Sequence, residues 1–448
     1  MSPMKLVRWV VVLPFVYGLF VSGQSIMDGL CFCAAFLATA ALIFSLGRRP
    51  ITEAWVWFLL LIMIDGCFVQ GFLIEQHIAN HLFLPELGAV DSISPLRTSD
   101  ALEWATLSYL TACAVMLFWV RRRRDAVTQS VDHEVGRPVI WQIRRLENVT
   151  LAAYIALSFA EQRLGLGVLG TVTHHLPLRL DTAVVRTRAD LVPAILVLCI
   201  WLESKADEGR ASRPLAMLVG AGVIDLFVTT SRGGLVNYLL PAVALWFVTG
   251  QLTRRRLAGI AAAGAVTVIL FPLATGRRIA ALAAGGAYQG AQPGGFRLSN
   301  AGTYLAHFVL RVSGDQQILQ TLGHTPSFFD PGRLLSFLAG SGGDGPYFTH
   351  AIVHVTTPGD FRAPGFIAAF MMVGSLPVVC LLVGSYCATV GLVWTRLAHW
   401  TTGPAAMAVF AGWLVPFTAD GGLNGTDVVA LALSLMTLKV VYPHLVRP

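Results

Sequence analysis

Apolar residues along this chain fall in long unbroken blocks separated by short polar or basic connectors, the pattern of helices buried all round or facing hydrocarbon rather than of half-buried strands. A helix needs about 20 mostly apolar residues to cross a bilayer. Blocks of that kind cover residues 9–24, 27–46, 54–74, 101–120, 147–168, 190–203, 215–230, 235–250, 257–275, 364–393, 402–419 and 425–442. The pattern predicts an all-α polytopic membrane protein of about twelve transmembrane helices. The first block lacks a small-residue cleavage site and runs into the second, so it is expected to be a retained helix rather than a signal peptide. The fifth is the least regular, because Glu161, Gln162 and Arg163 interrupt it. Either that span is short, or it is tilted with those groups facing the bundle interior.

Composition agrees with the blocks. Of 448 residues, 55% are hydrophobic and only 13% charged, and the mean hydropathy is +0.67, a balance that excludes an ordinary soluble domain. The net charge of +7 does not signal nucleic acid, since the basic residues sit in short inter-helix connectors. With both termini cytoplasmic, "GRRP" at 47, "RRRRD" at 121, "KADEGRASR" at 205, "TRRR" at 253 and the terminal "VRP" all fall inside, as the positive-inside bias requires. The seven cysteines lie in apolar blocks, where they act as small hydrophobes, so neither a disulfide framework nor a cysteine metal site is expected.

This topology divides the chain into 1–275 with nine helices, a large outer loop over 276–362, and 363–448 with three more helices. Smaller outer segments cover 75–100 and 169–189. The large loop contains a Gly-rich stretch, "GGAYQGAQPGG", and "NAGTYLAHFVLRVSGDQQILQTLG", whose periodicity predicts one or two helices lying at the surface.

Candidate chemistry gathers on the outer side. The large loop carries Arg277, Arg278, Arg297, Arg311, Arg333 and Arg362, and the 169–189 segment adds Arg179, Arg186 and Arg188. Outer arginines run against the orientation bias, and a guanidinium can hold phosphate oxygens through two parallel hydrogen bonds. The chain-wide preference for arginine over lysine accounts for part of this, so position says more than residue type. Arg232 in "TTSRGGL" is the leading single residue. Ser231 and its neighbours offer hydroxyls, and the following glycines allow close approach to an anion; the same arginine could also snorkel at the lipid boundary.

For acid–base work the residues are His350, His354, Asp344 and Asp360 in "GSGGDGPYFTHAIVHVTTPGDFRAPG". The two histidines share a face if that stretch is helical. No Glu follows the first and no third ligand stands at motif spacing, so no metal is expected. Loop histidines are also commonly plain polar surface. Asp65 and Asp225 lie inside apolar blocks, where an ionisable group by default suggests function and otherwise a helix-to-helix hydrogen bond. Asp225, two turns before Arg232, is placed to support it from within the bundle.

"TTSRGGL", then "LRVSGDQQIL" in the large loop, then "PYFTHAIVHVTTPGDFRAPGFIAAFMMVGSL" re-entering the membrane, together resemble the oligosaccharide repeat-unit polymerases of the Wzy type, relatives of the O-antigen ligases. Arg232 matches the arginine of their "SRG" stretch, Arg311 that of "R-[IV]-S-G", and His350 with Gly365 the polar-then-glycine re-entry. Ala351 follows His350 where ligases often carry Asn, which favours a polymerase. The resemblance implies a GT-C-type glycosyltransferase of the bacterial inner membrane, with a periplasmic loop and no nucleotide sugar or other cofactor. Its substrates would be undecaprenyl-diphosphate-linked oligosaccharides, built into O-antigen, capsule or exopolysaccharide, with a flippase and a chain-length regulator as companions. An O-antigen ligase and a transporter or flippase of lipid-linked oligosaccharide are the alternatives; a transporter should show two corresponding halves, and no internal repeat is present.

Overall fold

The computed structural model describes residues 3–21, 25–46, 54–69, 95–122, 137–164, 180–206, 212–228, 234–263, 265–266, 317–339, 365–420 and 425–447. Within them the chain is almost wholly helical. The elements are α1 (Pro3–Val21), α2 (Ile26–Leu46), α3 (Ala54–Ile64), α4 (Pro95–Arg122), β1 (Arg137–Pro138), α5 (Ile140–Leu164), α6 (Leu180–Arg186), α7 (Val192–Ala206), α8 (Ser212–Val228) and α9 (Gly234–Val248). They continue with α10 (254–263), α11 (Gln317–Leu322), α12 (Pro331–Ala339), α13 (Phe366–Met371), α14 (Leu376–Ala398), α15 (Gly403–Asp420), α16 (Gly425–Val441) and β2 (Val446–Arg447).

Among the described residues four helices are long and apolar enough to cross a membrane: Ile26–Leu46, Asp100–Arg122, Leu376–Ala398 and Asp427–His444. Shorter apolar helices accompany them at Arg8–Phe20, Ala54–Val69, Tyr238–Val248 and Gly403–Val415. Large apolar side chains such as Phe20, Phe44, Leu381 and Val440 are more than half exposed, as lipid-facing residues should be.

The bundle packs around α15. From Thr402 to Leu414 nearly every side chain is buried, and α15 touches α3, α7, α9, α13, α14 and α16. Small residues make this possible: Ala405, Ala406, Ala408 and Ala411 let neighbouring backbones come close, which drives helix association where lipid is as apolar as leucine. The tightest approach is at Gly412, where an added Cβ would stand 2.3 Å from Cγ of Pro241 in α9. α1, α2, α4 and the turn that follows α3 share an aromatic cluster of Phe15, Phe32, Phe68 and Tyr109, with the Tyr109 and Thr39 hydroxyls bonded at 2.6 Å. α5, α7 and α8 pack against one another. There β1 pairs antiparallel with β2, and Val139 N–H donates to Leu445 O at 2.8 Å, which holds the start of α5 to the end of α16.

Helix positions follow the apolar blocks, although α4 begins at Pro95, before its block at 101, and α5 at Ile140, before its block at 147; two further differences are larger. The block read as one span over 364–393 is two helices, α13 and α14, separated by a turn through Met372–Ser375. Pro377, near the N-terminus of α14, has no N–H to continue a helix from upstream. At Gly374 a Cβ would meet Phe328 O at 2.7 Å, because the segment before α12 docks there through Ser375 N–H to Phe328 O and Asp330 N–H to Val373 O. The sixth span is also longer than its apolar block. Helical structure begins at Leu180 and passes through a π turn, Thr187–Leu191, before α7. Pro193 cannot donate to the carbonyl four residues back, and the ladder steps to the wider spacing, with Val192 N–H bonded to Thr187 O.

Gly412→Val should lower stability by about 1–3 kcal/mol through overpacking against Pro241, seen as a lower thermal midpoint in detergent. Gly220→Ala, whose new Cβ meets nothing within 4 Å, should raise stability by about 0.5–1 kcal/mol.

Candidate functional site: a buried ionic cluster

α5 wears its polar residues on the inside. Ile143, Glu147, Thr150, Tyr154, Ser158 and Glu161 are all buried, while Trp141, Val149, Ile155 and Phe159 on the opposite face are each more than half exposed. The spacing of three and four residues puts the first set on one stripe. The arrangement inverts that of a water-soluble helix and suits a helix with hydrocarbon outside and polar chemistry within. The charged residues that exclude α5 from the long apolar set are thus partly turned inward.

At the far end of this stripe the π turn delivers Arg188, only 1% exposed. Its Nε donates to Glu161 Oε1 at 2.8 Å, and one Nη bonds Asp225 of α8. The Tyr154 and Tyr238 hydroxyls stand 3.5 and 3.4 Å from the same nitrogen. The Tyr238 hydroxyl in turn donates to Arg188 O at 3.2 Å, and that of Tyr154 to Ala221 O at 2.5 Å. The two tyrosine rings meet edge to face. One guanidinium therefore ties together α5, the π turn, α8 and α9. Beside it Arg186 bonds Asp190 and reaches Asp427 at the start of α16, drawing a fifth helix end to the same place.

Sequence-based site residues divide sharply on this structure. Arg232, Ser231, Arg277, Arg278, Arg311, Arg362, Asp344, Asp360, His350 and His354 lie outside the described residues, as do Arg179 and Arg297. Arg188, expected in an outer loop, is instead inside a continuous helical run, because that run begins ten residues before the apolar block. Asp225 is buried, and its ion pair with Arg188 gives the arginine of that loop, not only Arg232, a claim on it. Arg333, expected among the phosphate-binding arginines, is engaged locally by Asp330 at 3.3 Å and Met372 O at 3.1 Å, where it secures the docked loop. Of the three residues interrupting the fifth span, Glu161 faces the interior whereas Gln162 and Arg163 are exposed. Asp65 opens a second π-helical turn over 65–69 and is half-buried. Tyr154 and Tyr238 were not singled out in the sequence. The signal for Tyr154 was present in the Glu147, Thr150, Tyr154, Ser158, Glu161 spacing.

No group of three or more metal-ligating side chains occurs among the described residues. The sequence matches no family model, no curated protein and no solved structure.

A buried pair broken on one side leaves an uncompensated charge, which costs roughly 3–5 kcal/mol. Arg188→Met should therefore abolish monodisperse protein on size-exclusion chromatography. Replacing Glu161 and Asp225 by leucine in the same chain should restore it, because an apolar cluster of similar volume carries no such penalty.

Proposed function

We propose that this protein is a membrane glycosyltransferase of GT-C type that polymerises undecaprenyl-diphosphate-linked oligosaccharide repeat units at the periplasmic face of the bacterial inner membrane. The observation that carries the reading is the cluster at Arg188. It fixes the end of α8 through Asp225 and the beginning of α9 through Tyr238, the two helices that flank the "TTSRG" segment with Ser231 and Arg232. A segment that must hold a lipid diphosphate needs rigid supports on both sides, since catalytic stabilisation depends on donors that do not reorganise during reaction.

In this reading the chain crosses the membrane twelve times with both termini in the cytoplasm, and the Arg188 end of the bundle is the periplasmic one. The basic connectors between α7 and α8 and between α9 and α10 support that orientation. The acceptor sugar hydroxyl attacks the anomeric carbon of the donor as the bond to the lipid diphosphate breaks. Arg232, with Arg311, Arg277, Arg278 and Arg362 from the large loop, would neutralise the diphosphate that departs. One of His350, His354, Asp344 and Asp360 would take the hydroxyl proton.

One observation favours a second reading, a transporter of lipid-linked oligosaccharide. Ionisable residues buried in a membrane bundle often mark ion pathways, and Glu161, Arg188 and Asp225 are such residues.

The test is reconstitution of the purified protein with lipid-diphosphate-linked repeat units in the presence of chelator. A ladder of glycan multiples is expected, abolished by Arg232→Ala with expression unchanged. Movement of labelled lipid across the vesicle bilayer without a ladder would replace the polymerase by the transporter.

A further inference from the structure

The inward stripe of α5 has acidic groups at both ends and hydroxyls between. At the end that carries the β1–β2 pairing, Glu147 is fully buried and interacts with the carboxyl of Glu203 on α7. Arg213 of α8 stands 3.6 Å from Glu147 through its Nε and is itself nearly half exposed. Arg144 lies one turn back on α5, and Cys199 of α7 faces both carboxyls. At the other end Glu161 faces Arg188, with Asp225 and Tyr238 behind it. Thr150, Tyr154 and Ser158 fill the interval.

Some buried polar atoms on this lane have no protein hydrogen-bond partner among the described residues: Oε2 of Glu203, Oγ of Ser158 and Oε2 of Glu161. Glu147 has only the Glu203 carboxyl and Arg213 beside it. In hydrocarbon such atoms are costly unless water or a proton joins them, and here they stand in line along one interface. Residues three and four apart on a helix have Cβ atoms about 5–6 Å apart, a gap that one bridging water closes. From Glu147 to Glu161 the helix rises about 21 Å at 1.5 Å per residue, most of the hydrocarbon thickness of about 30 Å.

We propose that the inward stripe of α5, faced by α7 and α8, is a proton-transfer lane running between Glu147 with Glu203 at one end and Glu161 at the other. A proton accepted by a carboxylate oxygen at one end is released to the hydroxyl or water next along, and the same number of protons leaves as enters. Arg188 does not block it, because Asp225 compensates its charge while Glu161 carries the proton, and it holds the terminal acceptor in place. Arg144 and Arg213 set the charge at the opposite mouth. The lane stands on the burial pattern and does not depend on the polymerase reading.

The experiment uses the full chain in phosphatidylethanolamine–phosphatidylglycerol vesicles that enclose a pH-sensitive dye, with a potassium gradient and valinomycin imposing a membrane potential. Proton uptake faster than in protein-free vesicles is expected, falling to the protein-free rate in Glu147→Gln and in Glu161→Gln. If either variant is not monodisperse, Ser158→Ala, which removes a hydroxyl and no charge, takes its place and should slow uptake. Uptake by the wild type at the protein-free rate overturns the lane. So does undiminished uptake by the folded variants, or a flux carried by sodium with no change in internal pH. The glycan ladder is a separate assay, so failure of the lane and failure of the polymerase reading are told apart.

Discussion

The arrangement of this protein depends on where a hydrocarbon environment lets polar groups go. A buried carboxylate or hydroxyl has to turn toward the bundle interior, because lipid offers no hydrogen-bond partner. α5 shows the constraint most plainly: its acidic and hydroxyl residues turn toward α7 and α8, and its large apolar residues turn outward. That inversion brings Glu161 to Arg188, and Arg188 in turn collects Asp225, Tyr154 and Tyr238. The same guanidinium thereby sets the relative positions of four elements widely separated in sequence. α15 answers the complementary demand with alanine and glycine, packing closely through small residues.

Much of this was legible in the sequence, and the reasons for the exceptions are physical. Apolar blocks located the helices because a membrane-embedded helix has little choice of composition. The positions of α2, α8, α9, α15 and α16 follow directly. What the blocks could not convey is helical structure made from polar residues. The run from Leu180 through Arg188 reads as loop in composition, yet it is helical because its charged groups find partners in α5, α8 and α16. The break between α13 and α14 was likewise hidden inside a continuous apolar block, although Gly374 and Pro377 marked it.

The site was legible to a different degree. Asp225 was identified as an expensive group needing a reason, and the structure supplies one in Arg188. Glu161 was noticed as an interruption, and its interior orientation was one of two expectations. The tyrosines escaped because a tyrosine in an apolar block is ordinary; only its register with Glu147, Thr150, Ser158 and Glu161 distinguishes Tyr154. Arg188 was named among the outer arginines, but its burial escaped because counting arginines by loop assigns them to solvent before asking what they touch.

The short pairing of β1 with β2 has a bearing on the order in which the molecule assembles. Residues 137–138 precede α5, whereas residues 446–447 follow α16, so the two strands leave the ribosome some three hundred residues apart. The contacts among α5, the π turn, α8 and α9 can form much earlier. The pairing closes a loop of that length, whose entropy cost falls once those contacts have formed, and it fastens the end of α16 to the start of α5. It acts as a latch across a long loop rather than as a seed.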